Sequence, residues 1–117
     1  MSFLNRVGFA TSTTGDGSID NIGAAEPEYL TPANAGAVDG GEYGYVIEDG
    51  SDFEIGRGTY ASSGPTFTRD IVHRSRVSGT PGTSKLELSG TAKVYFTATA
   101  EDMDGIFRRA AAFAMVA

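Results

Sequence analysis

A chain of 117 residues is one domain on ordinary size grounds, spanning 1–117. It holds no cysteine and a single histidine, which excludes disulfide staples and the usual thiolate or imidazole zinc sites. Nine Lys and Arg against fifteen Asp and Glu leave a net charge of −6, which opposes adhesion to nucleic acid or to an anionic membrane. Sixteen glycines and no Trp make for a thin core, and thin cores gain from oligomerisation. Met1 to Arg6 has no basic segment leading into an apolar one, and no run is long enough to span a bilayer. The sequence is thus expected to be leaderless and soluble.

Arg6 to Thr14 sets Val7 and Phe9 against Gly8 and Ala10 and ends in hydroxyl-bearing residues, which predicts a first strand. Gly15-Asp16-Gly17 turns the chain, and Ser18 to Ile22 offers a second short strand with Ile19 buried, closing a first hairpin. From Gly23 to Gly41 the composition shifts to a long connection. Within it, Thr31 before Pro32 predicts one capped helical turn, with Tyr29 and Leu30 pinning the loop to the core.

The stretch from Glu42 to Tyr60 carries the strongest signal. Tyr43, Tyr45 and Ile47 precede Asp49-Gly50, and Phe53 and Ile55 follow it, which reads as a β-hairpin with an aromatic stripe. Gly56-Arg57-Gly58 lacks the Lys and helix start of a phosphate loop, so its glycines are read as a bulge or a close backbone approach. Thr66 to Arg74 predicts a strand with Phe67, Arg69, Ile71 and His73 on one face, a mixed face that suits a rim or a subunit contact. Val77 to Lys85 reads as a mobile loop, and Leu86 and Leu88 as one face of a short strand.

Thr91 to Ala100 alternates most cleanly, with Ala92, Val94, Phe96 and Ala98 inward, and Glu101 to Gly105 breaks it. The tail from Ile106 to Ala117 is alanine-rich with apolar residues at helical spacing, a short helix or arm that docks on something. About seven short strands at intervals of roughly ten residues define the expected class. It is all-β, an antiparallel β-sandwich or small barrel, with residues 103–117 as a C-terminal docking segment.

No constellation of catalytic geometry emerges. Asp70 and His73 have no nucleophile-elbow pattern beside them, and neither acidic cluster, Glu48/Asp49/Asp52/Glu54 or Glu101/Asp102/Asp104, has the spacing of a calcium loop. Both clusters read as solvated turns, and no cofactor or metal is expected. Arg69, Arg74 and Arg76 concentrate positive charge in an acidic chain, which fits a charge-complementary contact between copies.

Val46 to Gly50, Phe53 to Tyr60, Ser63-Gly64 with Thr68-Arg69, and Leu88 to Tyr95 together resemble a β-module recurrent in tailed-bacteriophage virion proteins. Arg6-Val7 with Thr11 to Gly15 resembles that module's opening, so the likeness runs over residues 6–102. Phe53 stands where the module usually has an aromatic, often Trp, and the tail from Ile106 has no counterpart. The resemblance implies a non-enzymatic structural protein on the exterior of a phage or phage-like particle, made in the host cytoplasm. Its partners would be further copies, as a trimer, and the major capsid protein or other virion proteins. Capsid decoration, cement or head appendage is the leading role. A receptor- or carbohydrate-binding module of a tail fibre or tip, stacking ligands on Tyr43, Tyr45 and Tyr60, is the alternative. The expected contact residues are Phe3, Leu4 and Arg6, then Arg69, His73 and Arg74, and in the tail Ile106, Phe107, Phe113 and Met115.

Overall fold

The protein is described from a computed structural model covering residues 3–105. In chain order the elements are β1 (Gly8–Thr11), β2 (Thr14–Gly15), α1 (Pro32–Ala35), β3 (Glu42–Asp49) and β4 (Asp52–Ala61). There follow β5 (Thr66–Phe67), β6 (Ile71–Val77), β7 (Thr80–Gly82), β8 (Leu88–Ser89) and β9 (Ala92–Phe96). Residues 100–105 are helical. Six strands run in the order β1-β9-β3-β4-β6-β7, β5 joins β4 as a seventh, and β2 pairs β8 in a separate two-stranded layer. Every strand pair is antiparallel and the large sheet is open, so the fold is an all-β sandwich rather than a closed barrel.

β3 and β4 form the expected hairpin, but Asp49 pairs with Asp52, so the two-residue loop is Gly50-Ser51. Gly50 takes φ 64°, as a primed hairpin turn with Gly first requires. A two-residue loop pairs odd positions on one strand with even positions on the other. Tyr43, Tyr45 and Ile47 therefore share the inner face with Gly58, Gly56 and Glu54, while Phe53 and Ile55 fall on the outer face and stay half-buried. The two apolar runs of the hairpin point to opposite sides.

The inner face is aromatic. Phe96 stacks on Tyr43 at 5.4 Å between centroids and meets Phe67 at 4.6 Å and Phe9 at 6.0 Å, and Tyr45 meets Phe67 edge-on at 5.5 Å. Gly56 and Gly58 make this possible. A Cβ at Gly58 would collide with the Thr68 carbonyl and reach 2.7 Å from the Phe67 ring, and the register shifts by a bulge between Ile55 and Gly56. Ile19, Leu86 and Leu88 complete the core, Leu88 from β8 of the smaller sheet and the other two from the connecting loops.

Several expected elements take another form. Ser18 to Ile22 makes no hairpin with β1; Ile19 bridges Phe67 instead, and Thr13 Oγ1 donates to Asp20 at 2.8 Å to hold that turn. Residues 24–30 line the free edge of β1 through hydrogen bonds such as Gly8 N–H to Leu30 O at 3.0 Å, which blunts an exposed sheet edge. The backbone pins this loop, since the Leu30 side chain is itself exposed. The strand expected over 66–74 breaks at 68–70 into β5 and β6. The loop expected over 77–85 contains β7, joined to β6 by Ser78-Gly79 with both φ positive, a primed two-residue turn. Thr31 does cap α1, accepting from Asn34 N–H at 3.3 Å. Ala98 is exposed because β9 ends at Phe96.

Candidate functional site

Glu54 and Arg69 are wholly buried and bound to each other. Arg69 Nε donates to Glu54 Oε2 at 2.8 Å, and its Nη2 donates to Glu54 Oε1. Nη2 also reaches Leu86 O at 2.8 Å, and Nη1 reaches Gly17 O at 3.0 Å and Gly15 O at 3.4 Å, so all five guanidinium donors are used. Glu54 accepts in addition from Tyr45 Oη at 2.6 Å and from Leu86 N–H at 2.8 Å. Burial, reinforced by the charge of Glu54, drives the Tyr45 hydroxyl far above the ordinary tyrosine range. Burial opposes the Arg69 charge, yet the hydrogen bonds and charge of Glu54 outweigh it and hold its pKa raised. With every donor and acceptor committed, this cluster is a clamp that ties β4 to β2 at Gly15 and to the loops at Gly17 and Leu86. It presents no free group to a substrate.

The acidic hairpin tip is likewise committed. Glu54 belongs to the clamp, Asp49 accepts from Ser89 N–H at 2.8 Å and Oγ at 2.7 Å, and Asp52 accepts from Ser78 N–H at 3.1 Å. Reading Glu48/Asp49/Asp52/Glu54 as a solvated turn is therefore corrected at Glu54, which is fully buried, while Asp49 and Asp52 stay half-exposed as they anchor neighbouring loops and Glu48 is exposed. Among the described residues no three acidic or histidine side chains converge on a possible cation.

The outer face of the large sheet is the remaining candidate. Register places Tyr95, Val46, Ile55 and Arg74 in one row across it, and Lys93, Glu48, Phe53 and Arg76 in the next. Val46, Phe53, Ile55 and Tyr95 are half-buried, whereas Glu48, Arg74, Arg76 and Lys93 are exposed. At its margin Tyr29 packs edge-on against Tyr95 at 5.2 Å, in space left by the missing side chain of Gly8, and Arg6 lies over the Tyr29 ring at 4.3 Å. Arg6, Tyr29, Val46, Tyr95 and Thr97 surround an open recess of about 350 Å³. Burial, then the nearby Glu26 carboxylate, raises the Tyr95 pKa.

The other end of this face is covered. Gly44 stands opposite Arg57, and a Cβ there would strike Asp102 Oδ2 at 2.7 Å and Thr99 at 3.1 Å, so the helical residues 100–105 start directly above it. Thr99 and Asp102 cap that helix reciprocally, Thr99 N–H donating to Asp102 at 2.9 Å and Asp102 N–H to Thr99 Oγ1 at 3.1 Å. Arg57 lies 3.9 Å from Asp102 Oδ1.

The expected contact residues scatter against this geometry. Arg74 stands on the outer face and Arg6 at its margin, while Phe3 is exposed and Leu4 packs against the core. Arg69 is 2% exposed and fully bonded, so it is corrected from a contact residue to the centre of the clamp. His73 sits at the bulge with Nε2 buried and unbonded among the described residues. Ile106, Phe107, Phe113 and Met115 lie outside the described residues. Tyr43, Tyr45 and Tyr60, expected as stacking platforms, are 2%, 0% and 3% exposed, and no ligand can reach their faces. The accessible tyrosines are Tyr29 and Tyr95.

In comparisons with known proteins, no family model, no curated protein and no solved structure matches this chain.

Proposed function

We propose that this chain is a non-enzymatic structural protein of a phage or phage-like particle, an oligomeric decoration, cement or head-appendage subunit carried on the virion exterior. The observation that carries the assembly part of this reading is the outer sheet face, where Val46, Phe53, Ile55 and Tyr95 stay accessible among Arg74, Arg76 and Lys93. Apolar side chains beside three cations and a single exposed carboxylate, Glu48, suit a protein partner of net negative charge. The buried ionisable groups Glu54, Arg69 and Tyr45 are saturated by internal bonds and so serve the fold. The virion assignment itself rests on the resemblance over residues 6–102.

The reading is tested by mixing purified chain with expanded and mature capsids and resolving them on a density gradient. Co-migration with capsids supports decoration. Retention on host cells or glycans without capsid affinity supports the tail-tip reading, which the recess between Arg6, Tyr29 and Tyr95 favours as a stacking site. Co-migration with neither overturns both.

A further inference from the structure

The outer face has two unlike halves. Near the Gly50-Ser51 loop it offers Val46, Phe53 and Ile55 with three exposed cations, Arg74, Arg76 and Lys93, against Glu48 and a contact of 3.4 Å from Lys93 to Glu26. At the far end residues 100–105 lie over Gly44 and Arg57 and expose Glu101, Met103 and Asp104, with Asp102 turned inward onto Thr99 and Arg57. Met103 is 42% exposed, an apolar residue flanked by acids, on a helical segment that carries no cation. One half of the face is apolar and basic, and the element beside it is apolar and acidic.

We infer that the occupant of the basic half is the 100–105 helical segment of a second copy of this chain, in a two-fold contact. An axis near the middle of the face brings each helix onto the partner's basic half, so the same contact forms twice. Met103 lies against Val46, Ile55 and the recess at Tyr29 and Tyr95, and Glu101 and Asp104 face Arg74, Arg76 and Lys93. Tyr and Arg are the side chains that most often anchor such contacts. The chain's own residues 106–117 contain Arg108 and Arg109 and no acid, the wrong sign for this half. The contact rests on the assembly part of the reading above and is independent of which particle the chain joins. It departs from the trimer expected by resemblance: both halves lie on one face, so a reciprocal two-fold contact joins both at once with a single neighbour, whereas a three-fold ring would use them one per neighbour.

Sedimentation velocity over a concentration series tests it. The chain is expected to form a dimer that weakens as salt rises. The paired substitution R74E/R76E is expected to weaken the dimer at least about tenfold, E101K/D104K to do the same, and the chain carrying all four to regain most of the loss. Should a variant melt at lower temperature than the parent, R74Q/R76Q is read in its place, with weaker but same-signed loss. A monomer at all concentrations, a trimer, or a dimer indifferent to both pairs overturns the inference. So does tighter dimerisation on deleting 106–117, which would show the chain's own tail on the face. Particle binding is scored separately: a monomeric chain that binds capsids overturns the two-fold contact alone, and a dimer that ignores capsids overturns the virion reading alone.

Discussion

Arg69→Ala is the sharpest perturbation of this fold. It removes five donated hydrogen bonds and strands the Glu54 carboxylate at 0% exposure with only Tyr45 Oη and Leu86 N–H still donating to it. Breaking a buried ion pair from one side costs about 3–5 kcal/mol, against a total stability of about 5–15 kcal/mol for a domain. Each kcal/mol moves the melting temperature of a chain this size by about 3–5 °C, so a fall of about 10–20 °C is expected. Thermal and urea denaturation at pH 7, followed by circular dichroism, give the number. Glu54→Gln made in the Arg69→Ala background should cost clearly less than in the parent, because the charge it removes is no longer paired. A loss below about 1 kcal/mol for Arg69→Ala would refute the clamp.

Three further outcomes follow from the same geometry. Tyr45 has its folded-state pKa raised above the ordinary 10.0, so its contribution is fully present below pH 10 and declines above it by up to about 1.4 kcal/mol per pH unit. Alkaline urea titrations should show that slope reduced in Tyr45→Phe. Gly58→Ala places a methyl against the Thr68 carbonyl and the Phe67 ring and should cost about 1–3 kcal/mol, read as a lower urea midpoint at unchanged slope. Asp102→Ala deletes one arm of the reciprocal cap and should cost about 0.5–2 kcal/mol, read as faster amide exchange at Met103, whose N–H bonds Thr99 O at 3.1 Å.

The parts of the fold that local chemistry dictates were legible in the residues. Thr31 before Pro32 marks α1, and the alternation of Ala92, Val94 and Phe96 marks β9. The hairpin of β3 and β4 was legible too, and its loop lies one residue later than the Asp-Gly step suggests without changing which side chains face inward. Long-range pairing hid the rest. Glu54 beside an acidic turn looks solvated, and its partner lies fifteen residues away in the break between β5 and β6. The signal was its phase, since Glu54 alternates with Gly56, Gly58 and Tyr60 opposite Tyr45 and Ile47. Thr99, read as the end of a strand, and Asp102, read as part of the break after it, carry the spacing of a helix cap and mark where the helix begins over the outer face.

The outer face was the least legible feature of all. Arg74 and Arg76 stood out as charge, but only the register sets them beside Phe53 and Ile55, and only the close approach at Gly44 places the acidic helix at the opposite end. Neither relation has a signature within a short window of sequence.

The proposed role makes this chain a building part of a particle, assembled there through its outer sheet face. Quantitative mass spectrometry of gradient-purified particles, counting copies of this chain per copy of the major capsid protein, tests it most directly. Many copies per particle, falling when Arg74 and Arg76 are both replaced by Glu, is the predicted result. Purified particles that lack the chain altogether would contradict it.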